Sequence, residues 1–85
     1  MLAALEGNDV ILCQITSHAG IDPDSLPLEQ PDFSLGGLNR SSRIRPNRIF
    51  TADEATVVYR AGHIFEAKLH EVIDRLIAIL SQDPN

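Results

Sequence analysis

The 85-residue chain is 44 % hydrophobic, has a formal net charge of -5 and contains one cysteine. A chain of that length makes one small domain with a modest core, and its apolar content excludes a disordered polymer. The acidic balance excludes indiscriminate nucleic-acid binding, the lone Cys13 excludes an internal disulfide, and no apolar run approaches the ~20 residues of a spanning helix. A cytoplasmic protein with no membrane partner is the expectation.

Met1 to Gly7 reads as a short lead-in closed by the turn-forming pair Gly7-Asn8. Asp9 to Ser17, DVILCQITS, is rich in β-branched residues and predicts a largely buried strand, with Cys13 a packed core thiol. His18 to Pro31 holds Gly20 and three prolines, which excludes a long helix and predicts a loop interrupted by a short edge strand near Leu28. Phe33 to Leu38 then passes through Gly36-Gly37, where the backbone can turn tightly or approach another group closely. Ser42 to Phe50 predicts a strand kinked, or held at an edge, by Pro46. Thr56 to Tyr59 reads as a further strand, joined to it by the link Thr51 to Ala55 as an antiparallel hairpin. From about Glu66, apolar residues at Leu69, Val72, Ile73, Leu76, Ile79 and Leu80 recur with helical spacing. Lys68, Glu71, Asp74, Arg75 and Gln82 fill the other side of this amphipathic helix, which Asp83-Pro84 should end. The fold class is therefore α+β, a mostly antiparallel sheet with a C-terminal helix in one domain, 1–85. Three confident strands and one short one are few for a closed barrel. The sheet is either completed by another chain or belongs to a larger fold.

The segment Gly36 to Thr51, GGLNRSSRIRPNRIFT, concentrates chemistry that the rest of the chain lacks. Four of the seven basic residues, Arg40, Arg43, Arg45 and Arg48, lie here in a stretch without carboxylates, between segments that hold six acids each. Guanidinium groups beside the hydroxyls of Ser41 and Ser42 suit a phosphate, while a solvated, arginine-bearing strand is the plain alternative. Asp22, Asp24, Glu29 and Asp32 could pair with those arginines and quench such a site. His18, His63 and His70 are too scattered for a metal site, and neither metal nor other cofactor is expected.

Taken in order, DVILCQITS, the proline-rich loop, GGLNRSSRIRPNRIFT, TVVYRAGHI and the terminal helix resemble the later two thirds of a PemK/MazF-type toxin. The resemblance covers about residues 9–80. It implies a partial SH3-like barrel, a homodimer, and a metal-independent endoribonuclease acting on single-stranded RNA and held inactive by a cognate antitoxin, with DNA binding only through that antitoxin. In such cleavage the ribose 2′-hydroxyl attacks the adjacent phosphate, leaving a 2′,3′-cyclic phosphate and a 5′-hydroxyl. Thr16, with Ser17 beside it, matches the family's hydroxyl position, and Ser42, Arg43, Arg45 and Arg48 match or neighbour its RNA-contacting segment. The family's first strands, which carry its principal catalytic arginine in an Arg-Pro pair, have no counterpart. Arg45-Pro46 repeats those letters only in a later strand. An N-terminally truncated domain is thus expected, with cleavage weakened or lost. A non-catalytic protein-binding module, taking up an antitoxin-like peptide or a toxin subunit, is the other reading.

Overall fold

A computed structural model describes residues 1–18 and 20–82. Its elements are β1 (Ala3–Ala4), β2 (Asp9–Thr16), β3 (Leu26–Leu28), β4 (Phe33–Gly36), β5 (Ser42–Asp53), β6 (Gly62–Ile64) and α1 (Glu66–Leu80), with 3-10 turns at Gln30–Asp32 and Glu54–Thr56. The four strands β1-β2-β5-β3 form one antiparallel sheet in that order, and β4 pairs with β6 in a second. The architecture is α+β, and no closed barrel forms among the described residues.

The twelve-residue β5 is the central strand, paired with β2 along most of its length and with β3 at its start. Pro46 lies within it, fully buried, where it can donate no ladder hydrogen bond. A bulge accommodates it. Gln14 pairs with Arg45 but Cys13 pairs with Ile49, so Pro46, Asn47 and Arg48 loop out of register between two regular stretches. The kink expected from Pro46 is therefore present, although the strand is central. The short strand expected near Leu28 is β3, on the sheet's edge.

The core is small. Leu26, Leu28, Ile44 and Val72 form its buried cluster, with Leu2, Cys13, Phe33 and Ile64 packed partly against it. The helix lies over this face of the sheet, and its first residue, Glu66, is where the change of periodicity places it. Lys68, expected on the polar side, is instead buried. Its ammonium donates to the Pro27 carbonyl at 3.0 Å and is flanked by Asp32 at 3.6 Å and Glu71 at 3.3 Å. The expected stop at Asp83-Pro84 lies outside the described residues. Where β4 crosses β6, a Cβ on Gly36 would collide with the Ala61 carbonyl and the Gly62 Cα. The φ of +69° at Gly36 also favours glycine, so the tight approach expected of this pair is realised.

Further sequence expectations are overturned. Thr56 to Tyr59 is not a strand, and Thr51 to Ala55 is not a hairpin link: Thr51 continues β5, pairing with Ile11. The Asp53 carboxylate accepts from the Ala55 N–H at 2.9 Å and the Thr56 hydroxyl donates to the Asp53 carbonyl at 2.7 Å, which curls the chain into a 3-10 turn. Val58 and Tyr59 then run on 91 % and 77 % exposed, with no strand beside them among the described residues to give β-branched residues their preference. Nor is β2 largely buried, since only Val10 is fully covered and Ile15 is 49 % exposed. One helix covers one face, and among the described residues no second helix covers the other.

Leu28→Ala should cost about 2–5 kcal/mol, a large part of a small domain's stability, because the cavity lies between two strands and the helix. The equivalent change at the fully exposed Ile21 should stay within about 0.5 kcal/mol. Urea denaturation followed by circular dichroism measures both.

Candidate nucleic-acid interface

Alternation along a strand sends successive side chains to opposite faces, and partners across an antiparallel pair share a face. Thr16 is opposite Arg43, and Gln14 is opposite Arg45. These four residues therefore share the face opposite to Ile44 and the buried cluster. The arginines that stood out in the sequence are brought beside the hydroxyl that the resemblance singles out. Arg48 stands in the bulge, exposed, and Arg40 precedes β5, also exposed. Ser42 goes to the other face: it is buried, and its hydroxyl donates to the Arg40 carbonyl at 3.0 Å.

The arginine face is partly occupied from within. Arg45 Nε donates to Asp22 Oδ2 at 2.8 Å, in an ion pair whose carboxylate side chain is only 5 % exposed, and Arg45 Nη1 donates to Gln14 Oε1 at 3.2 Å. Asn47 Nδ2 and the Asp24 N–H both donate to the other Asp22 oxygen, at 3.3 and 3.1 Å. Arg43 is bonded to neutral oxygens, through Nε to the Ser25 hydroxyl at 2.6 Å and through Nη2 to the Ser25 carbonyl at 2.9 Å. Of the carboxylates named from sequence as possible quenchers, Asp22 is the one that pairs with an arginine among the described residues. Gln14, Ser25 and Asn47 were not singled out by sequence reasoning. Gln14 could have been found from its position two residues before Thr16, on the same strand face; Ser25 and Asn47 depend on the path of a loop and on the bulge.

The hydroxyls are locally bonded. Thr16 Oγ1 accepts from the His18 N–H at 3.0 Å, which leaves its own proton free to donate. Ser17 is exposed, with its Oγ 2.7 Å from His18 Nδ1. A third group orienting His18, as a nucleophile-activating pair requires, is not among its contacts in the described residues. Burial pushes the Cys13 thiol up, and its Sγ donates to the Arg45 carbonyl at 2.9 Å, so it acts as a packed donor rather than a thiolate.

On the other side of the sheet a groove of about 700 Å³ is lined by residues including Cys13, Ile15, Leu28, Phe33, Ile64 and Leu69. Beside it β1 covers β2 only at Val10 and Ile11, leaving Leu12 to Thr16 without a strand on that edge among the described residues. No cluster of His, Cys, Asp or Glu suited to a metal ion occurs among the described residues, and none of their helices is long and apolar enough to cross a membrane. No protein-family model matches the chain, and no curated protein sequence matches it.

The hydrogen bond from Arg45 holds the Asp22 carboxyl below the usual carboxylate range, against the opposing effect of burial and with help from the Asp24 N–H. A depressed carboxylate binds its proton later than in the unfolded chain. Its contribution to stability is therefore present above the unfolded value of about 3.9 and is lost as pH falls through the lower folded value. Urea midpoints measured from pH 6 downward should show this acid loss in the wild-type protein and a shallower one in Asp22→Asn.

Proposed function

We propose that the chain is a PemK/MazF-type toxin domain that takes single-stranded RNA across the Thr16–Arg43 and Gln14–Arg45 face, as part of a metal-independent endoribonuclease. The observation that carries this reading is the register of β2 on β5, which sets a hydroxyl with a free proton opposite a guanidinium group. Cleavage by the ribose 2′-hydroxyl builds negative charge on the non-bridging phosphate oxygens. A positioned hydroxyl and a guanidinium group can meet that charge without a metal ion. Thr16 donates to one oxygen and Arg43 or Arg45 to others, with Arg48 holding a flanking phosphate and Ser17 at the rim. Ser42 supports the site through the backbone before Arg43. The family's principal catalytic arginine has no counterpart in these 85 residues. In this reading full activity requires an arginine in that role and strands that close the SH3-like barrel. A cognate antitoxin, a homodimeric state and a cytoplasmic location go with the same reading.

A second reading has its own support. The accessible surface is 6237 Å², whereas a folded monomer of this mass exposes about 5,000 Å². The excess of roughly 1,200 Å² exceeds one partner's share of a standard interface. Apolar side chains are open to solvent in the groove, and Val57, Val58 and Tyr59 are exposed as well, while the edge of β2 beyond Ile11 carries no strand among the described residues. In this reading the chain is a binding module, and an extended segment of an antitoxin or toxin subunit pairs with β2 without any phosphodiester being cut.

Cleavage of a long single-stranded RNA in the presence of EDTA tests the first reading, with the protein alone and with any upstream in-frame strands restored. Cyclic-phosphate products should appear at least in the restored form, and Thr16→Ala should lower their rate about 100-fold or more. Arg45→Ala should weaken RNA binding and reduce its salt slope by about 0.7. An RNA left intact by both forms, with an unchanged slope, would move the assignment to the binding module. That module should show hydrogen-exchange protection of Cys13 and Ile15 when its partner is added.

A further inference from the structure

The segment from Gly20 to Ser25 lies over the arginine face as a preformed turn. Both the Ser25 N–H and its hydroxyl donate to the Asp22 carbonyl, at 3.1 and 2.8 Å. Its two ends differ. At the base, Ser25 is buried and holds Arg43 through two hydrogen bonds, next to the core residue Leu26. At the tip, Gly20 has φ +61° with open space around the position of a Cβ, and Ile21 is fully exposed; the turn's tie to α1 is a hydrogen bond from Arg75 Nη1 to the Pro23 carbonyl at 2.9 Å, which swinging out would have to break. The Asp22 carboxylate reaches down between these ends and gathers donors from Arg45, Asn47 and the Asp24 backbone. Two oxygens receiving a guanidinium N–H, an amide N–H and a backbone N–H reproduce the way a protein surface holds the non-bridging oxygens of a phosphate.

We propose that Asp22 is a built-in competitor for the phosphate site, an autoinhibitory contact that holds Arg45 until an RNA phosphate displaces the carboxylate and the tip of the turn swings out. The inference rests on the RNA reading above and adds its regulation. Arg43, fixed at the buried base, stays in place and keeps the site's geometry, whereas Arg45 is the gated cation. Displacement exchanges one charge-assisted set of hydrogen bonds for another, so affinity is set by the difference between them rather than by the arginines alone.

The test is binding of a mixed-sequence, single-stranded 2′-O-methyl oligonucleotide, which lacks the attacking hydroxyl and cannot be cut, at fixed moderate salt. Asp22→Asn should bind about three- to tenfold more tightly than wild type. Asp24→Asn removes the same charge two residues away without releasing an arginine, and should change affinity by no more than about twofold. Carbon-13 NMR of the wild-type protein gives a readout that does not depend on a variant folding. On saturation with the oligonucleotide, the Asp22 carboxyl resonance should move as its Arg45 partner leaves. Equal effects of Asp22→Asn and Asp24→Asn, or an Asp22 signal that stays in place while Arg45→Ala still weakens binding, would overturn the competitor and leave the RNA reading standing. Binding that is flat across every variant, Arg45→Ala included, would overturn the RNA reading and the competitor together.

Discussion

Pro46 brings no N–H to the ladder at the middle of the central strand, and the sheet is arranged around that missing donor. The chain answers with a bulge opposite the Cys13–Gln14 junction, and the Cys13 thiol satisfies the Arg45 carbonyl in place of a backbone partner. β5 thereby becomes two short ladders joined end to end. The first, Arg43 to Arg45 against Gln14 to Thr16, also carries β3 and sits on the helix-covered core. The second, Ile49 to Asp53 against Asp9 to Cys13, carries only β1 and leaves Ile49 and Phe50 exposed. The polar face is thus set on the better-supported half of the sheet, where alternation is regular enough to hold Arg43 and Arg45 on one side.

That support is limited by the number of layers. One amphipathic helix can bury one sheet face, and its buried contribution comes through Val72 and the stem of Lys68, while Ile77 and Leu80 stay exposed at 56 % and 72 %. The burial of Lys68 follows from the same shortage. A larger apolar residue at that position would have no role for Asp32 and the Pro27 carbonyl, whereas the lysine ties α1 to β3 and to the turn before β4 in one side chain. Such a pair specifies how the helix docks more than it strengthens the docking. With few apolar contacts available, polar ties of this kind position the helix.

Elements whose identity rests on local pattern were legible in the sequence. The start of α1 follows from the change to helical spacing, β2 and the arginine strand from β-branched runs, β3 from its prolines, and the glycine crossing from a pair of residues that tolerate positive φ. The misreading of Thr56 to Tyr59 has a definite cause: Val57, Val58 and Tyr59 have strand propensity, but propensity is expressed only against a neighbouring strand, and Asp53 curls the chain away before one is reached. The opposition of Thr16 to Arg43 and of Gln14 to Arg45 is a matter of register. A three-residue bulge sets it, and a count of residues along the chain gives no sign of a bulge's length.

Charge asymmetry in sequence marks where cations are concentrated, but not how many remain available. The arginine cluster divides three ways once folded: Arg43 is bound to neutral serine oxygens, Arg45 to a carboxylate, and Arg40 and Arg48 to no carboxylate among the described residues. These are different kinds of site for an anion. A guanidinium held by neutral oxygens keeps its charge uncompensated and its position fixed, which suits stabilisation of a charge that develops during reaction. A guanidinium paired with a carboxylate offers an anion nothing until the pair opens, which suits discrimination between a ligand that can displace the acid and one that cannot. The exposed pair contributes attraction at longer range and is the most sensitive to salt. In a chain of net charge -5, Arg43 and Arg45 opposite Thr16 and Gln14 make this face a local concentration of positive charge, with one of its two cations paired and, among the described residues, the other not.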